Sequence, residues 1–205
     1  MRIEDVISNV QVYGLEDAMR GSRYPMATDL SEISGEVGKT QVRLAQCGLG
    51  EGHDNYLNGV IVQFDLTFTN KAWVEAERYH FLDFVSSQST MHRICKFDLD
   101  KAYISYVDPR MVEIMKEKVN EYNKLQAEDS RNPILREKYL EILYSNPAGF
   151  RLTAKMTTNY RQLKTIYKQR RGHRLPEWQA FCNWVLTLPH AELITKDADT
   201  NKDSN

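Results

Sequence analysis

Eight basic residues (Arg151, Lys155, Arg161, Lys164, Lys168, Arg170, Arg171 and Arg174) fall between positions 151 and 174 with no acidic residue among them, in a chain of formal net charge −1. A guanidinium fork binds two phosphate oxygens at once and an ammonium adds a point charge, so this cluster suits a nucleotide phosphate or a nucleic-acid backbone. The plainer alternative is a solvated helix face, and charge alone does not separate the two. Leu163, Ile166 and Tyr167 interleave with the charges at helical spacing. That spacing turns one face toward a core and argues against docking in a nucleic-acid groove. Two other polar stretches could do chemistry: the glycine-rich approach Gly48, Gly50, Gly52 to His53, and Ser86-Ser87-Gln88-Ser89-Thr90. Hydroxyls and backbone N–H groups in the latter could bind phosphate, or the stretch could be a polar loop. No phosphate-cradling glycine loop, dinucleotide fingerprint or metal-ligand constellation is present, Asp98 and Asp100 being too few to hold a metal.

These residues need elements to position them. Val60, Val62, Phe64, Leu66 and Phe68 alternate with polar residues and predict a strand over 59–68. Thr69 or Asn70 can cap a following helix over 70–84, with Trp73, Ala76, His80, Phe81 and Phe84 on its buried face. Residues 38–47 suit a helix ended by Gly48, and the first 35 residues are ambiguous between helix and strand. Asp108-Pro109 opens a helix with the apolar stripe Met111, Ile114, Met115, Val119 and Tyr122, and Asn132-Pro133 opens another to about Tyr144. A long helix over 152–169, ending near Gly172, would carry Asn159, Arg161 and the basic cluster. A last helix from Pro176 presents Trp178, Phe181, Trp184 and Val185, and both aromatic stripes read as core. The expected fold is α/β, one domain over 1–195, with residues 196–205 a polar, disordered tail.

Composition sets outer bounds. With 205 residues, 41% hydrophobic and 27% charged, the chain suits one globular domain with a real core. No apolar run reaches membrane-spanning length and the N-terminus lacks a signal-peptide core. Cys47, Cys95 and Cys182 form no CxxC pair and read as reduced thiols, so a cytoplasmic location is expected.

Asn159-Tyr160-Arg161-Gln162-Leu163, followed by Arg170 and then Leu175-Pro176-Glu177-Trp178, resembles the C-terminal stretch of flavin-dependent thymidylate synthases: N-x-R-x-L, an Arg nine residues after the first, then A-Q-W-E, here with Glu and Trp transposed. Gly52-His53-Asp54-Asn55-Tyr56-Leu57-Asn58-Gly59, running into the predicted strand, is similar to the family's G-H-x-S/T-P-F-E-H segment. Arg78-Tyr79-His80 and the following Ser86–Met91 stand where the family signature R-H-R-x-x-S-x-N-E-x-S-x-R should follow. The resemblance covers roughly residues 38–92 and 145–187.

It implies a thymidylate synthase-complementing-like fold, a small sheet covered by long helices, in a homotetramer whose active sites form between subunits. It also implies FAD as cofactor, and reductive methylation of dUMP or a related pyrimidine deoxynucleotide with NADPH and methylenetetrahydrofolate. His53, Arg78, Asn159 and Arg161 then lie against the flavin nucleotide, and Ser87, Gln88, Ser89 and Arg170 against the substrate. No protein nucleophile is required, because the cofactor carries the hard chemistry.

The departures are specific. The second Arg of the signature triplet is missing, Ser86-Ser87 replace its Asn-Glu pair, and Thr90-Met91 replace its last Arg. The Glu-His that closes the G-H segment has become Asn58-Gly59. A catalytically inactive nucleotide- or partner-binding protein on the same fold, of the kind a phage could encode, is therefore the alternative.

Overall fold

The computed structural model describes residues 1–48 and 50–196. The expected tail over 196–205 lies outside these from 197 onward. The elements run β1 (Ile7–Tyr13), α1 (Leu15–Gly21), α2 (Lys39–Ala45), β2 (Ile61–Thr69), α3 (Asn70–Ala76), β3 (Asp83–Ser87), α4 (Thr90–Arg93), α5 (Pro109–Glu128), α6 (Leu135–Ser145), β4 (Arg151–Asn159), α7 (Tyr160–Arg170), α8 (Pro176–Val185) and α9 (Glu192–Thr195). The four strands form a sheet in the order β1-β2-β4-β3. The α/β expectation holds.

The chain divides into two compact units. The described residues of the first fall within Met1–Leu66, Ala76–Val85 and 155–196. Here β1 pairs antiparallel with β2, Ile7 opposite Leu66 and Tyr13 opposite Ile61. Strict alternation buries Val62, Phe64 and Leu66, as the sequence predicts. Against them α8 sets Phe181 and Trp184, whose ring centroids lie 6.1 and 4.6 Å from that of Phe64. Tyr160, Leu163 and Ile166 of α7 are likewise buried. Each fully buried side chain of this size contributes about 1.5–3 kcal/mol, so this core fixes α7, the element that carries the basic residues.

The second unit comprises Thr67–Glu75 and Ser86–Ala154. Thr69 caps α3, its hydroxyl accepting from Ala72 N at 3.2 Å. Asp108 caps α5, accepting from Arg110 N at 2.9 Å, with Pro109 at the first helical position. Met115 and Val119 of α5 and Ile142 of α6 close a core with Ile94, Leu99 and Phe150. Met111 and Ile114, expected in the same stripe, are exposed.

Two expected helices are corrected. The helix predicted over 70–84 stops at Ala76, and the chain turns and re-enters the sheet as β3. Tyr79 and Leu82 are the buried residues of that turn, whereas His80, Phe81 and Phe84 are exposed and do not belong to the core. The cause is local pairing: the Thr158 hydroxyl donates to the Phe81 carbonyl at 2.6 Å, and Phe84 and Val85 favour extended backbone. The first half of the helix predicted over 152–169 is instead β4. Its β-branched residues Thr153, Thr157 and Thr158 suit a strand, and Ala154, Met156 and Thr158 are buried at period two. Arg151 and Lys155 therefore sit on a strand, and the basic cluster is not one helix face.

Candidate functional site

Asn159 ends β4 and caps α7, its side-chain oxygen accepting from Gln162 N at 2.8 Å. The cap fixes the first turn of α7, from which Arg161 and Lys164, one helical turn apart, project on the same side. Both meet the carboxylate of Asp54. Arg161 donates from Nε to Oδ1 at 3.1 Å, and Lys164 from Nζ to Oδ2 at 2.8 Å. Lys164 Nζ also donates to the Cys47 carbonyl at 3.2 Å. Asp54 is 6% exposed and sits at the head of a tight turn over Asn55–Gly59, anchored by the fully buried Leu57. Gly52, at φ +77°, lets the chain turn into that segment.

These groups line a hollow of about 230 Å³ in the first unit, together with Lys168, Lys196 and Asn159. Among the described residues four basic side chains and one carboxylate, that of Asp54, line it. Its electrostatic character is that of an anion site, and its first helical turn adds the positive end of the α7 dipole.

Arg170 lies elsewhere. Its Nε donates to the Tyr79 hydroxyl at 2.7 Å, and its guanidinium carbon lies 4.9 Å from the Trp178 ring centroid and 5.5 Å from that of Tyr79. The Tyr79 hydroxyl in turn donates to Gln169 Oε1 at 3.0 Å. Burial pushes the Tyr79 phenol up, and the neighbouring Arg170 opposes the shift. Arg78 and Arg170 share a second, shallower hollow. Phe81, Gln162 and Thr165 line both hollows.

His53 is exposed and lines a third cavity, with Arg43, Lys39 and Tyr56. Burial first, then the Asp54 and Cys47 charges, push the Tyr56 phenol up, and its hydroxyl donates to the Gln41 carbonyl at 2.6 Å. Ser87, Gln88 and Ser89 belong to the second unit. There Gln88 pairs with Thr153 twice, donating from its backbone N at 3.0 Å and accepting at Oε1 from Thr153 N at 2.9 Å.

The structure thus brings Asn159 and Arg161 together, and Arg78 and Arg170 together, while His53 faces separate space. Sequence reading missed Asp54 and Lys164 as partners of Arg161. Asp54 lies 107 residues away in a glycine-rich loop, where spacing gives no signal. Among the described residues no metal-ligating cluster occurs, and no helix is long and apolar enough to cross a membrane.

A small antiparallel sheet with a cationic hollow at a capped helix start defines an α/β protein. Its fold is that of the flavin-dependent thymidylate synthases. Two crystal structures of the Helicobacter pylori flavin-dependent thymidylate synthase ThyX, each with FAD and dUMP, match it with a TM-score of 0.67. In both, 92% of this chain covers 98% of that one at 15% identity. No family sequence model and no curated protein sequence matches the chain. The likeness is one of fold.

Proposed function

We propose that this chain is a flavin-dependent thymidylate synthase-like protein that holds a flavin nucleotide and binds or acts on a pyrimidine deoxynucleotide. The observation that carries the reading is the hollow around Arg161 and Lys164, with its excess of cations, on a fold whose solved relatives hold FAD and dUMP. The donor set fits a phosphate. The volume fits a diphosphate with part of its sugars rather than a whole dinucleotide, since sites that enclose drug-sized ligands run to about 300–1,000 Å³. Assembly of a homotetramer, with sites shared between subunits, would supply the rest.

In this reading Arg161 and Lys164 neutralise the phosphates and Asn159 holds the start of α7 in place. Bound FAD would supply hydride transfer, with NADPH and methylenetetrahydrofolate as co-reactants in the methylation of dUMP. Arg78, Arg170 and Ser87–Ser89 are the substrate- and cofactor-facing candidates outside the hollow.

One observation favours the inactive alternative. Arg170, assigned by resemblance to the pyrimidine, is hydrogen-bonded to Tyr79 and stacked on Trp178. That engagement must be given up or shared before a substrate is gripped.

The test is calorimetric titration of FAD and dUMP separately, with the absorbance of the purified protein near about 450 nm read for a bound flavin. Charge-assisted contacts to phosphate contribute about 1.5–3 kcal/mol each, so Arg161→Ala should weaken binding roughly ten- to a hundredfold. If neither ligand binds the unaltered protein below millimolar concentration, the enzyme reading fails.

A further inference from the structure

We propose that Asp54 is a positioning residue of the phosphate hollow: it grips Arg161 by Nε and Lys164 by Nζ, so that the terminal edge of the Arg161 guanidinium is offered to a phosphate. The inference rests on the phosphate-binding reading of the same hollow and extends it to a residue to which the resemblance assigns no role.

A carboxylate is a paradoxical thing to bury in an anion site. It repels the ligand and it costs desolvation, which only good partners offset. Asp54 has both: each oxygen accepts one charge-assisted bond, at 3.1 Å from Arg161 and 2.8 Å from Lys164. The three side chains are graded in exposure. Taken over the side chain alone, Asp54 is 9% exposed, Lys164 18% and Arg161 39%. The acid is thus the fixed base of the cluster and Arg161 its open end.

The hydrogen bond of the Arg161 guanidinium to Asp54 runs through Nε. Among the described residues, Nη1 and Nη2 carry no hydrogen bond. Those two nitrogens form the end-on fork that takes two phosphate oxygens. An arginine held by Nε has already lost much of the rotamer freedom that it would otherwise lose on binding, so its fork is preorganised. The Asp54 backbone is rigid enough to serve. Leu57 N donates to its carbonyl at 3.0 Å within the turn over Asn55–Gly59, and Tyr56 ties that turn to Gln41.

Positioning and simple electrostatics predict opposite signs, which makes the inference testable. The probe is inorganic pyrophosphate, titrated by calorimetry, so that the outcome does not depend on which nucleotide the protein uses. In Asp54→Asn the hollow gains one unit of positive charge. Electrostatics alone would tighten binding, whereas loss of positioning should weaken it roughly tenfold. In an Arg161→Ala background the same substitution should no longer weaken binding and should tighten it through the added charge, because the group it positions is gone.

Arg161→Lys leaves the buried acid untouched and keeps the charge, but a lysine cannot serve Asp54 and the ligand through separate edges. It too should lose roughly tenfold. Equal or tighter pyrophosphate binding by Asp54→Asn, or full affinity in Arg161→Lys, overturns the proposal, as does absence of pyrophosphate binding by the unaltered protein. Pyrophosphate binding without FAD or dUMP binding would sink the flavin reading and leave this one standing.

Discussion

The guanidinium of Arg170 lies 4.9 Å from the ring centroid of Trp178, a fully buried residue at the start of α8. Trp178 also packs against Phe181 with centroids 5.5 Å apart, so the cation rests on the edge of the core and not in open solvent. Together with the bond to the Tyr79 hydroxyl, this gives Arg170 a stabilising role that is independent of any ligand.

Arg170→Met should therefore destabilise the protein by about 1–2 kcal/mol, from the lost cation–π contact and charge-assisted bond. Pyrophosphate affinity at the Arg161 hollow should be unchanged, because Arg170 does not line it. Urea denaturation beside calorimetry checks both. Trp178→Ala, which empties a core position, should cost about 3–5 kcal/mol.

Asn159→Ala removes the side-chain oxygen that accepts from Gln162 N. Loss of such a cap costs about 0.5–2 kcal/mol, and substitution by Asp should retain the bond. The expected result in denaturant melts is a lowered midpoint for Ala and near-native stability for Asp. Equal stability of all three would mean that α7 does not depend on its cap.

Alkaline pH should destabilise the fold, in part through two buried thiols. Burial pushes Cys95 and Cys182 from an ordinary value of 9.0 up to about 11. Each stabilises the folded state fully below pH 9, where both states hold the proton. Between pH 9 and about 11 only the unfolded chain releases it, so stability falls as pH rises through that window. The loss should amount to a few kcal/mol in all, at about 1.4 kcal/mol for each unit of displacement. Urea midpoints measured across the window should fall, and less steeply for Cys182→Ala.

Much of this architecture is legible in the sequence because local and tertiary preferences agree. Val62, Phe64 and Leu66 alternate with polar residues, and no helix could bury them on one side. Asp108-Pro109 caps and starts α5 by residue type alone. The misread segments are those where the two preferences conflict. Leu152, Met156 and Leu163 also satisfy a helical spacing, and Thr153 becomes a strand residue through its hydroxyl pairing with Thr67 at 2.8 Å and its backbone bonds to Gln88. The turn at Arg78–Leu82 likewise depends on Thr158, distant in sequence. Of the site, Asn159 and Arg161 stand out by spacing. Asp54 does not, because a lone acid beside His53 announces nothing until folding brings α7 to it.

The placement of His53 and Arg161 on different cavities yields the last prediction. Consecutive residues of one loop face different ways: Asp54 turns to the Arg161 hollow, while His53 and Asn55 line the cavity of about 890 Å³ that also contains Arg43 and Tyr56. A ligand that is only a phosphate group cannot occupy both. His53→Ala should therefore leave pyrophosphate affinity within about twofold of the unaltered protein, whereas Arg161→Ala should lower it roughly ten- to a hundredfold. FAD is long enough to make the comparison informative in the other direction. If His53 contacts the flavin ring as the family resemblance implies, His53→Ala should weaken FAD binding and shift the absorbance of the bound flavin while sparing pyrophosphate. Calorimetry with both ligands on both variants checks this. A His53→Ala protein that loses pyrophosphate affinity as far as Arg161→Ala does would show that the two cavities act as one site.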